Sequence, residues 1–137
     1  MIDKWIPVVA AAIEGSEGKW LMHRRPLEKH HGGLWEFPGG KVEVFETPVQ
    51  SLCRELDGEL GINVGSGDCL PLAFAQEEGG EGRPPIVILL YKVVDFRGKP
   101  VALEGGEIGW FPPEEIYSLE KPPLDIALAR QIFGNRI

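Results

Sequence analysis

Residues 39–62, GGKVEVFETPVQSLCRELDGELGI, decide how this chain is read. Thr47 stands where an N-cap is wanted, Pro48 suits the first helical position, and Gln50 completes a capping box with Thr47. Val49, Leu52, Leu56 and Leu60 recur at helical spacing, and Gly61 can take the left-handed conformation that closes a helix. The pattern predicts a helix over 47–61 with one apolar face packed on a sheet. Its other face carries Glu55 and Glu59, one turn apart on the same side. Two like charges so placed repel, and a divalent cation turns that repulsion into shared coordination. On spacing alone this is either a metal-binding face or a solvated acidic one.

Working outward, residues 6–13 and 19–25 are apolar and β-compatible, and the turn-rich EGSEG between them suggests neighbouring strands. PGG at 38–40 has the composition of a tight turn. Residues 69–75 and 85–94 are further strands; the second is so apolar that it belongs in the centre of a sheet. A short strand at 109–111 and a terminal helix at 125–133 complete the set. Interleaved strands and helices imply an α/β or α+β class, with helices on both faces of a mixed sheet. The 137 residues suit one domain, and no repeat or linker divides them.

Fourteen basic against 21 acidic residues give a net charge of −7, which argues against a general nucleic-acid binder. A phosphorylated small molecule stays compatible with that charge if divalent cations mediate the contact. No stretch has the length of a membrane span and the N-terminus lacks a basic leader, so a cytoplasmic protein is expected. Cys53 and Cys69 are too far apart for a CxxC motif and suit the core of a reduced protein.

The segment 40–62 resembles the Nudix box, G-x5-E-x7-R-E-U-x-E-E-x-G-U with U a bulky aliphatic residue. Gly40, Glu46, Arg54, Glu55, Leu56, Glu59, Gly61 and Ile62 all fall in register. The exception is Gly58, where the family has the first glutamate of its EE pair. WEFPGGKVE, LEGGEIGWF and KPPLD extend the likeness to the MutT-like branch over almost the whole chain. The resemblance implies a Nudix fold, an α/β/α sandwich around a mixed sheet. It also implies Mg²⁺- or Mn²⁺-assisted attack of water on a phosphoanhydride. The expected substrate is a (deoxy)nucleoside triphosphate, split to monophosphate and pyrophosphate, with clearance of oxidised guanine nucleotides as one such role. A dinucleotide or sugar-nucleotide hydrolase, or a weakly active nucleotide-binding domain, is the alternative. The expected assembly is a monomer or homodimer, with no nucleic-acid polymer or membrane as partner.

Residue roles follow from the resemblance. Glu55 and Glu59 match metal-binding, catalytic glutamates, and the Gly39 carbonyl matches a backbone ligand. Glu104 matches a remote acidic group at the metal or its water, with Glu107 as its rival. Gly40, Glu46, Arg54 and Gly61 match structural positions, the Arg–Glu pair bracing loop against helix. Arg25 matches a triphosphate contact, or else is a solvated strand-end charge. Asp125 falls where related proteins read the base edge, but it would also serve as the N-cap of the last helix. Ile86 is either a pocket wall or core. His30 and His31 are polar loop residues rather than a metal pair. Gly58 removes one carboxylate from the metal-facing side and puts a glycine inside a helix.

Overall fold

The structure, a computed structural model, describes residues 4–134. Strand β1 (Ile6–Ile13) forms the axis of the molecule. Its residues alternate in direction: Val9, Ala11 and Ile13 enter one apolar cluster, Ala10 and Ala12 another. Small side chains at three of these positions allow layers on both faces to approach closely. The first cluster is covered by helix α1 (Pro48–Leu60) through Leu52, Leu56 and Leu60. Each is fully buried, worth about 1.5–3 kcal/mol apiece relative to exposure. Helices α2 (Pro113–Ser118) and α3 (Pro123–Phe133) cover the opposite face with Ile116, Leu128 and Ala129. This is the expected mixed α/β architecture with helices on both sides.

The sheet around β1 contains β4 (Gly39–Lys41), β5 (Cys69–Glu77) and β6 (Ile86–Val93) in the order β4-β1-β6-β5. β1 and β6 run parallel with Ile6 opposite Ile86, while β4 and β5 pair antiparallel to their neighbours. Strands β2 (Trp20–Arg24), β3 (Trp35–Glu36) and β7 (Glu107–Phe111) form a second, antiparallel sheet in the order β3-β2-β7. The expectation that residues 6–13 and 19–25 are sheet neighbours is corrected: a bridge between Glu14 and Trp20 joins them, and no ladder. Both edges of β1 are already taken by β4 and β6, so the chain leaves for a second sheet.

The PGG segment is not a turn. Gly39 and Gly40 pair with Ala10 and Val9 in β4. A Cβ on Gly39 would collide with the Val9 carbonyl, and one on Gly40 with the Glu55 carboxylate. Glycine is needed there for close approach. α1 has the predicted ends: Thr47 and Gln50 make both bonds of the capping box, and Gly61 has φ 69°. α3 starts earlier than expected, with Pro122 as its N-cap. The N-cap reading of Asp125 is thereby corrected; it lies inside the first turn. No helix among the described residues is long and apolar enough to cross a membrane.

Candidate functional site

Between β4 and α1 the loop is fastened by one guanidinium. Arg54 donates through Nε to Glu46 Oε2 at 2.6 Å and through Nη2 to Glu46 Oε1 at 2.9 Å, a bidentate pair. The same Nη2 reaches the Lys41 carbonyl at 3.2 Å, and Nη1 reaches Glu55 Oε1 at 2.5 Å. Glu46 also accepts the Glu43 backbone N–H at 2.9 Å. Hydrogen bonding to Arg54, then to that N–H, holds the Glu46 carboxyl down at about 2. The pair orients Glu55 against Gly40, where β4 meets the helix.

Glu59, one turn further along α1, points inward and is buried. Its Oε1 faces Nδ1 of His23 on β2 at 3.9 Å, and the same Nδ1 lies 3.9 Å from Oε2 of Glu36 on β3. Burial pushes the Glu59 carboxyl up to about 7; His23 opposes this, while Glu36, Glu55 and Glu104 add to it. Burial pulls His23 down, but Glu36, Glu59 and the Gly105 carbonyl outweigh it and the net direction is upward. Desolvation and neighbouring carboxylates both disfavour the charged form of Glu59, and a cation placed among them would offset both. Among the described residues neither Glu59 Oε1 nor His23 Nδ1 has a hydrogen-bond partner. These orphaned donors fit a divalent cation.

Alongside lies a cavity of about 590 Å³, whose lining includes Arg25, Glu36, Gly39, Gly40, Ile86 and Asp125. Arg25 donates to the His30 carbonyl at 2.7 Å and to Glu36 Oε2 at 3.3 Å, so it is held at the cavity edge rather than free in solvent. Ile86 opens β6 and contributes an apolar wall. Asp125 is buried and accepts the Phe37 backbone N–H on Oδ2 at 3.0 Å. Burial, then the charge of Glu36, pushes its carboxyl up to about 7. A carboxyl near neutrality can accept, or donate as well as accept, from one position. His30 and His31 line the same cavity, their rings tilted at 46° with centroids 3.9 Å apart.

Glu104 and Glu107 have different surroundings. Glu107, in β7, is ion-paired with Arg24 at 2.9 Å. Glu104 lies in the preceding loop and contributes to the potential at Glu59. Gly58 is exposed, and a Cβ there would meet nothing within 4 Å. The sequence reading passed over His23, Glu36, Lys41 and Arg83, all of which line the cavity or touch Glu59. The missed signal is strand periodicity: His23 lies two residues before Arg25, and Glu36 is its cross-strand partner.

Comparison with known proteins agrees with this geometry. Residues 4–132 match the NUDIX domain model. The chain is 41% identical over 133 residues to the CTP pyrophosphohydrolase of Escherichia coli (strain K12), spanning 97% of this chain and 95% of that protein. It is 30% identical over 138 residues to the 8-oxo-dGTP diphosphatase of Haemophilus influenzae, spanning 98% and 96%. The solution structure of the E. coli ORF135 protein superposes with a TM-score of 0.83 at 39% identity, covering 96% of this chain and 90% of that one. Box, fold and relatives agree: the chain belongs to the Nudix family and is a MutT-like Nudix hydrolase.

Proposed function

We propose that residues 1–137 act as one Nudix domain that hydrolyses (deoxy)nucleoside triphosphates to nucleoside monophosphate and pyrophosphate with Mg²⁺ or Mn²⁺. The observation that carries this reading is a cavity beside the box helix whose lining combines charged, backbone and apolar groups. Arg25, Glu36, Gly39, Gly40, Ile86 and Asp125 share its lining, and Gly40 lies against the Glu55 carboxylate. That layout suits a ligand with a charged phosphate chain and a flat, hydrogen-bonding base. Its volume falls within the ordinary range for small-molecule sites.

Glu55, Glu59 and the Gly39 carbonyl would hold the cation, and Glu104, in the loop before β7, would add its charge there. When bound, the cation offsets the negative charge of the phosphate chain. Arg25, fixed by His30 and Glu36, presents its guanidinium to the phosphates. A box glutamate, Glu55 or Glu59, would orient the attacking water and take up its proton, with Glu104 as a remote acidic group near that water. Water oxygen bonds to phosphorus, the anhydride P–O bond breaks, and pyrophosphate departs. Asp125 meets the base edge and Ile86 its apolar face. The relatives named for CTP and for 8-oxo-dGTP share the nucleoside triphosphate, which is the part of the reading they support.

A panel of CTP, dCTP, dGTP, 8-oxo-dGTP and ADP-ribose, each with and without Mg²⁺, tests this. Turnover of at least one triphosphate, above that of ADP-ribose and dependent on Mg²⁺, is expected. Preferential cleavage of ADP-ribose, or no turnover of any triphosphate, would overturn the reading.

A further inference from the structure

His23 is a polar group at the heart of the site to which the proposed hydrolytic steps assign no part. It is 5% exposed. Its Nε2 lies 3.2 Å from the Gly105 carbonyl oxygen. A carbonyl oxygen only accepts, so Nε2 carries the hydrogen and Nδ1 is the ring atom turned toward Glu36 and Glu59. One donor atom from each of His23, Glu36 and Glu59 lies within 4.8 Å of the others. Both spacings from Nδ1, to Glu36 Oε2 and to Glu59 Oε1, are 3.9 Å, beyond hydrogen-bond reach. Nδ1 and Glu59 Oε1 have no other partner among the described residues. Buried lone pairs aimed at one another are unfavourable unless a positive centre stands between them.

The spacing suits a metal ion. With bonds of about 2.1 Å, donors on opposite sides of a divalent ion stand about 4.2 Å apart, and donors at right angles about 3 Å. The 3.9 Å separations fall between those limits.

We infer that His23 Nδ1, Glu36 and Glu59 form a mixed nitrogen–oxygen site for a first-row transition cation of the Mn²⁺, Co²⁺ or Zn²⁺ class. Carboxylates alone suit Mg²⁺ and Mn²⁺, whereas an imidazole nitrogen favours the transition metals. The Gly105 carbonyl supplies the outer contact that fixes tautomer and ring orientation in metal-bound histidines. His23 and Glu36 are register partners in the β2–β3 ladder, so two of the three ligands sit on a paired scaffold. Gly58 leaves α1 one carboxylate short of the family box, and His23 brings a donor to Glu59 from the opposite wall. The site shares Glu59 with the proposed hydrolytic centre but does not depend on nucleotide turnover.

The test uses the full chain without nucleotide. Pulsed electron paramagnetic resonance of added Mn²⁺ should show modulation from a directly bound ¹⁴N nucleus in the wild type. In His23→Asn that modulation should vanish, and calorimetric Co²⁺ affinity should fall at least about tenfold while Mg²⁺ affinity holds within about threefold. Wild-type Mn²⁺ without nitrogen modulation would overturn the inference, leaving His23 a protonated partner of the two carboxylates. That outcome is read on the wild type, so it stands even if His23→Asn fails to fold. An unchanged Co²⁺ affinity in a folded His23→Asn would overturn it equally. If Mg²⁺-dependent triphosphate turnover is found without the nitrogen signal, the hydrolase reading survives and this site does not.

Discussion

Replacing Gly58 separates its cost to the helix from its cost to the metal centre. Gly58 is the eleventh residue of the 13-residue helix α1, and an added Cβ meets nothing within 4 Å. Its backbone is not in the left-handed region. Gly58→Ala therefore recovers the helix-propensity difference without a clash, about 0.5–1 kcal/mol so near a helix end. With an unfolding entropy of about 2.1 cal/mol/K per residue, that raises Tm by about 2–3 °C for a chain of this length. Gly58→Glu behaves differently. Without metal, a third carboxylate beside Glu55 and Glu59 cancels part of the gain through repulsion. With Mg²⁺ present, repulsion becomes coordination, and the Mg²⁺ concentration for half-activation should fall by about fivefold or more, equivalent to about 1 kcal/mol. Calorimetric melts of wild type and both variants, with and without Mg²⁺, and Mg²⁺ activation curves give the answer. A Gly58→Ala that melts no higher than wild type would refute the open-space argument. A Gly58→Glu with an unchanged Mg²⁺ curve would show that position 58 does not face the metal.

Three further outcomes are expected. Asp125 titrates near about 7 in the fold because of its burial, against about 3.9 when unfolded. Below about pH 4 both states keep the proton; between there and about 7 the unfolded chain releases it more readily, so stability falls across that window and levels off above it. The gap sets an upper scale of about 4 kcal/mol. Asp125→Asn, which keeps an acceptor for Phe37 N–H, should be on the order of 2 kcal/mol more stable than wild type at pH 8 and equal to it at pH 4 in urea melts; a pH-independent difference would contradict this. Phe45 is fully exposed with φ 71°, a conformation costing an L-residue about 1–2 kcal/mol, so Phe45→Gly should stabilise by about 0.5–1 kcal/mol after the flexibility of unfolded glycine is counted. A lower Tm for that variant would mean the side chain has a partner in solution. Glu59→Gln should lower kcat by about a hundredfold or more, and an unaltered rate would remove Glu59 from the centre.

What the sequence made legible was local. The ends of α1 were visible because Thr47, Pro48, Gln50 and Gly61 act within four residues of the groups they satisfy. The Glu46–Arg54 brace was visible because loop and helix adjoin in the chain. The division into two sheets was not, since it depends on β6, some 75 residues downstream, occupying the free edge of β1. His23 and Glu36 escaped for the same reason: their chemistry arises from a cross-strand register and from a helix that packs over it. Glu104 and Glu107 could not be told apart in sequence because the Arg24 pairing of Glu107 arises from a cross-strand register. Asp125 fits a capping position by residue type, yet Pro122 starts the helix earlier and leaves its carboxyl for Phe37.

The identity of the first phosphorus-containing product tests the central claim most directly. Incubated with Mg²⁺ and a triphosphate that it turns over, the protein should yield pyrophosphate and nucleoside monophosphate in equal amounts, followed by ³¹P NMR from the first turnovers. Orthophosphate and nucleoside diphosphate as initial products would contradict the account.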